Sequence, residues 1–149
     1  MSRRAALSLL ALPLTAALLS GCGFVGASNV SHVKPNGFVL RGRVTVPAAG
    51  AAPSVGGVSC ASGVPDVAAG ALVVVSDVQG HELARGELGG GVTVAVPSGA
   101  GVTCDFPFQV RAVPGGVSRY GVSVAGRPAQ SFDASALRED QQAVIVLTS

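Results

Sequence analysis

The stretch Val102 to Val113, V-T-C-D-F-P-F-Q-V-R-A-V, alternates with a period of two. Val102, Cys104, Phe106, Phe108, Val110 and Ala112 fall on one side. Thr103, Asp105, Pro107, Gln109 and Arg111 fall on the other. Successive side chains of an extended chain point to opposite faces, so this alternation over about a dozen residues marks a half-buried strand. The stretch holds two of the five Phe and one of the three Cys, which makes it the spine of a β-domain. Pro107 has no N–H to give to a neighbour, so the strand is expected at a sheet edge, or bulged, at that point.

Working outward, Phe38 to Val46 also alternates. Phe38, Leu40, Val44 and Val46 share one face, and Arg41, Arg43 and Thr45 share the other. Ala71 to Ser76, A-L-V-V-V-S, is a continuous apolar run of strand length, expected to be buried on both faces. Asp77-Val78-Gln79-Gly80 reads as a turn: Asp bonds the backbone ahead of it and Gly80 takes a positive φ. His81 to Leu88 returns as a strand, Gly89-Gly90-Gly91 breaks it, and Val92, Val94 and Val96 mark the next. Tyr120, Val122 and Val124 form a partner for the spine. Asp133 is placed to cap a short helix running to Asp140. Ala143 to Thr148, A-V-I-V-L-T, is apolar on both faces and is expected at the centre of a sheet. Seven strand candidates predict an all-β domain over residues 38–149, a single antiparallel sandwich of about seven strands.

Composition agrees. Apolar residues make up 48% and charged residues 12%, so a core is available, and aromatics at only 4% mean it is built from Val, Leu and Ala. With 21 Gly and 9 Pro the chain is rich in turns, which suits short strands.

The first 21 residues read as a cleaved signal peptide. Arg3 and Arg4 form a positive n-region, and Ala5 to Leu19 is a largely apolar run of 15 residues, short for a membrane span and interrupted by Pro13. The end of this segment, Leu19-Ser20-Gly21-Cys22, resembles the lipobox of bacterial lipoproteins. The resemblance implies a diacylglyceryl thioether on Cys22, cleavage before it, and an extracytoplasmic protein held to the cell membrane by that lipid. Ser2 to Leu7 partly resembles a twin-arginine export signal, with Ala6 where an aromatic residue is usual. Residues 22–37 then form a flexible tether rich in Gly, Ser and Asn. With Arg3 and Arg4 assigned to the leader, eight basic and eight acidic residues remain, so no basic excess is left for nucleic acid.

Once Cys22 is spent on lipid, Cys60 and Cys104 are the remaining pair, and in an exported chain such a pair reads as a disulfide. Between and around them runs C-x-x-G-x-x-D-V-x-x-G-x-x-V-x-V-x-D-x-x-G-x-x-L-A-x-G-x-L, then C-x-F-x-F-x-V-x-x-V-P and Y-x-V-x-V-x-G-R. From Cys60 through Arg127 this resembles small, uncharacterised secreted proteins and lipoproteins of high-GC Gram-positive bacteria. The element V-x-V-x-D-x-x-G is also similar to transthyretin-like and immunoglobulin-like sandwich modules. The resemblance implies an architecture and no activity.

Catalytic chemistry finds no foothold in the sequence. His32 lies in the tether and His81 opens a strand, and neither has ligands at metal spacing, so no metal or cofactor is expected. Asp77, His81 and Glu82 read as a turn Asp and two exposed strand residues. There is no G-x-S-x-G elbow, and Gly89 to Gly91 is not followed by the Lys and Ser/Thr of a phosphate loop. The expected function is therefore non-catalytic: a binding module at the cell envelope, facing a protein, a glycan or a small ligand. The alternative is a structural or accessory envelope lipoprotein with no ligand of its own.

Overall fold

The spine is β5 (Val102–Val113), and it pairs along nearly its whole length with β1 (Phe38–Pro47) in antiparallel register, Val44 opposite Phe106 and Gly42 opposite Phe108. A computed structural model describes residues 37–50, 55–96 and 101–148. The signal peptide, Cys22 and the tether up to residue 36 lie outside the described residues. The described residues belong to one compact unit.

Among the described residues, eight strands build two four-stranded sheets. The first is ordered β4-β5-β1-β8, with β4 (Val92–Ala95) and β8 (Ala143–Val146) outermost. The second is ordered β3-β2-β6-β7, from β3 (Glu82–Glu87), β2 (Leu72–Ser76), β6 (Arg119–Val124) and β7 (Gln130–Asp133). Both sheets contribute inward-facing residues to one core, among them Leu40, Val44, Phe106 and Phe108 from the first and Val73, Val75, Tyr120 and Val122 from the second. A fully buried Val or Leu is worth about 1.5–3 kcal/mol, so these inward-facing side chains are what hold the two sheets together. The short helix α1 (Ala134–Arg138) joins β7 to β8 and buries Ala134 and Leu137.

The alternation read from the sequence holds in β1, where Leu40, Val44 and Val46 are buried while Arg41 is exposed and Arg43 and Thr45 are half-buried. In β5 it holds from Phe106 to Val110 and then slips; nearer the start Asp105, on the opposite face, is buried as well as Cys104. Ala112 takes φ 55 and is exposed, and Val113 occupies the core in its place. The pairing shifts at the same point, Leu40 opposite Val110 but Phe38 opposite Val113, so a bulge re-aims the last turn of the strand.

The strands differ from expectation in several places. The sandwich is not wholly antiparallel, because β8 runs parallel to β1. It reaches that position after a crossover through β7 and α1, the kind of long connection a parallel neighbour requires. The count is eight strands because β7, only four residues long, carries too little pattern to be read. The spine is not an edge: β4 covers residues 102–105 and a bridge from Leu88 to Phe108 covers the next part. Pro107 is tolerated because its nitrogen faces the gap where Gly89-Gly90-Gly91 interrupts the neighbouring chain, while its carbonyl accepts the Gly89 N–H at 2.7 Å.

Strand β2 does lie inside its sheet, but Val73 and Val75 are buried while Leu72 is 44% exposed. Strand β8 is an outer strand, not a central one, and leaves Val144 and Val146 in solvent. In β4 the faces are the reverse of the valine pattern: Thr93 points inward and is buried, and Val92 and Val94 point out.

Candidate functional site

The site forms around a covalent link. Residues 57–60 run along the outer side of β4, with the Gly57 N–H on the Thr93 carbonyl (2.8 Å), the Thr93 N–H on the Val58 carbonyl (2.7 Å) and the Cys60 N–H on the Gly91 carbonyl (3.1 Å). Cys104 sits on β5 directly across from Thr93. The two chains thus bring the Cα atoms of Cys60 and Cys104 to 5.9 Å, and the disulfide joins them. Cys104 is fully buried and Cys60 half-buried.

Two neighbours make this approach possible. Gly91 passes so close that a Cβ there would lie 2.7 Å from the Cys104 sulfur and 2.8 Å from the Cys60 carbonyl oxygen. Thr93 lies beside Cys104 and is a buried polar hub. Its Oγ1 donates to the Val55 carbonyl at 2.7 Å and accepts the Val58 N–H at 3.0 Å, so its burial leaves nothing unpaired.

Beside the disulfide lies an open groove of about 410 Å³. Buried Val64, Val67 and Phe106 form its base, and exposed Ala68, Ala69 and Gly90 its rim. The wall from Ala61 to Val67 is held in shape by local bonds. The Ser62 hydroxyl donates to the Val64 carbonyl at 2.8 Å and accepts the Val64 N–H at 2.9 Å, and the Val67 N–H closes a turn onto the Val64 carbonyl. The Ala49 and Gly63 N–H groups tie the same wall to β1's end, bonding the Ala61 and Pro47 carbonyls. Among the described residues, no Asp, Glu, His, Lys or Arg lines the groove. Asp66 on this wall is drawn instead to Arg127, 3.6 Å away. The arrangement suits an apolar side chain or small apolar group, held in a concave surface on a rigid frame.

The other residues singled out from sequence are at the far turn. Asp77 Oδ1 accepts the N–H groups of Gln79 and His81, both at 2.9 Å, and Oδ2 meets His81 Nδ1 at 2.9 Å. Gly80 takes φ 86 as the turn demands. Glu82 does not join them; it pairs with Arg85. Desolvation at the turn acts to raise the Asp77 carboxyl, but the His81 N–H, the His81 ring and the Gln79 N–H outweigh it and hold the group below its ordinary value. This is the geometry of a fastened turn. Among the described residues no group of three or more His, Cys, Asp or Glu gathers as a metal site. Asp133 occupies the N-cap position of α1 without a side-chain cap bond, because its carboxylate takes Arg119 Nε at 3.0 Å instead. Cys22 and His32 lie outside the described residues.

The groove wall was missed in the sequence. Residues 61–70 carry no sustained period, and only the Val64 and Val67 pair, three apart in a turn, hints at a buried base. The geometry defines a disulfide-stapled, two-sheet β-domain with an apolar groove. Comparison of the chain with protein-family models, with curated proteins and with solved structures finds no match.

Proposed function

We propose that the protein is a lipid-anchored, extracytoplasmic module that binds a partner at the cell envelope and catalyses no reaction. The observation that carries the binding reading is the groove beside Cys60: concave, apolar at its base and built on bonded walls. The anchor rests on Leu19-Ser20-Gly21-Cys22, where a diacylglyceryl group and a further acyl chain give the two signals that stable membrane attachment needs. The Cys60–Cys104 disulfide supports an oxidising, exported setting for the domain.

We place the fold among immunoglobulin-like or transthyretin-like sandwiches. Tyr120, fully buried at the start of β6, donates its hydroxyl to the Pro114 carbonyl at 2.8 Å, which resembles the tyrosine corner of immunoglobulin-type sandwiches.

Two experiments test the proposal. Labelled palmitate is expected to enter the full chain and to be absent from Cys22→Ala; equal labelling of both contradicts the anchor. The Cys22→Ala protein, crosslinked in envelope membranes, is expected to capture a specific partner that Gly90→Trp loses, since Gly90 lies on the groove rim with open space for a bulky side chain. Capture no better than an unrelated lipoprotein leaves the accessory, ligand-free role as the answer.

A further inference from the structure

Among the described residues, the sheet edges that no other strand covers are not alike. The outer edge of β3 carries Glu82, Arg85 and Glu87, and that of β7 ends in Asp133. Charges of this kind stop another chain from adding to an edge. The outer edge of β8 has no such guard: Gln141 to Thr148, Q-Q-A-V-I-V-L-T, contains no charged residue. Val144 is 37% exposed and Val146 60% exposed.

The register fixes which backbone groups are free. The Leu147 N–H bonds the Thr45 carbonyl at 3.0 Å, and Thr45 lies opposite Val146 in the parallel pair. Ala143, Ile145 and Leu147 therefore turn their N–H and C=O groups toward β1. Val144 and Val146 turn theirs away from it. Two outward-facing residues flank one inward-facing residue, which is the pattern a two-fold axis through Ile145 requires. Such an axis sets Val144 opposite Val146 of the second copy and gives four mutual N–H···O bonds. It also brings four valine side chains together as two cross-strand pairs on the sheet's outer face.

We propose that β8 is a self-association edge, and that its occupant is the antiparallel β8 of a second copy of this chain. Two observations select the copy over another peptide. The edge is self-complementary, as an isologous contact must be. It is also compatible in charge with itself: residues 141–148 are uncharged, Gln142 falls opposite Thr148, and no like charges meet. The joined sheet runs through eight strands, β4-β5-β1-β8 and its mirror order. A four-residue edge falls well short of the roughly 800 Å² per partner of a stable interface. The dimer is therefore weak and dissociates on dilution, and it forms where copies are concentrated.

The test is sedimentation equilibrium of the full chain in detergent over a wide concentration range. Two variants accompany it. Val146→Pro removes an outward-facing N–H and leaves every bond to β1 in place. Val144→Lys puts a charge into both valine pairs. The wild-type mass is expected to rise toward the dimer with concentration, and both variants are expected to associate at least about tenfold more weakly with an unchanged circular dichroism spectrum. If Val146→Pro does not fold, Val144→Lys decides. A monomer at every concentration, or association equal in the variants, overturns the proposal. An edge-dependent crosslink to a different protein from a monomeric chain assigns β8 to that protein and also overturns it.

Discussion

Thr93 is the residue on which the stapled corner turns. It reads from sequence as an outward spacer between two valines, yet it is the one that faces the core, with both hydroxyl bonds satisfied by the backbone of residues 55–58. Replacing it with Val keeps its shape and leaves the Val58 N–H and the Val55 carbonyl without their partner. Thr93→Val is expected to lower stability by about 1–3 kcal/mol in urea unfolding, where an exposed threonine would cost nothing measurable. Asp77 acts at the opposite turn. Its carboxyl is held below the ordinary value, so its contribution is present above the unfolded-state value and lost as pH falls through the lower folded-state one. Stability is therefore expected to fall as pH drops through and below the ordinary carboxylate range, and Asp77→Asn, which still accepts the two N–H bonds, is expected to flatten that decline. Unfolding midpoints across this range check it. The turn was legible because Asp and Gly at that spacing have one cheap conformation. Thr93 was not legible, because its inward face is set by the strap of residues 57–60 and not by the period of β4.

At the scale of elements, one rule explains both the successes and the failures of pattern reading. Where a strand has one face on the core and one in water, as in β1 and most of β5, alternation reports the fold directly. Where both faces are apolar, the pattern loses its phase. Strand β2 is internal with an exposed Leu72, and β8 is external with exposed Val144 and Val146, although the two runs look alike in sequence. Whether an apolar strand is central or outermost depends on the crossover that delivers it, and no local pattern encodes that. The bulge at Ala112 is a similar case. A small residue at the end of an alternating run gives no sign that the chain will take φ 55 there. A Cβ in this conformation costs about 1–2 kcal/mol. Ala112→Gly is expected to keep or raise the melting temperature, whereas Ala112→Val, β-branched at the same φ, is expected to lower it. A rise with Val would show that the bulge is not a fixed feature.

At the scale of the whole molecule, the disulfide fixes the strap of residues 57–60 to the spine and with it one side of the groove. The chain between the two cysteines spans a separation of 44 residues. Closing a loop of that length is worth roughly 4 kcal/mol in the chain-entropy view. That is a large share of the ~5–15 kcal/mol typical of a domain. Cys60→Ser with Cys104→Ala is expected to lose about that amount and to loosen the corner before the second sheet, with hydrogen exchange at Thr93 rising ahead of exchange at Val73. The pairing of Cys60 and Cys104 was available from sequence once the first 21 residues were read as an export leader. The groove was not, because its walls are turns shaped by backbone bonds.

The central claim is that this groove is where the protein meets its partner. The direct measurement is photo-crosslinking in envelope membranes from a reactive side chain placed at Ala69 on the groove rim, compared with one at Val78 on the far turn. A discrete crosslinked species from position 69, absent from position 78 and lost on adding Gly90→Trp, is the predicted result. The same products from both positions, or none from 69, would contradict it.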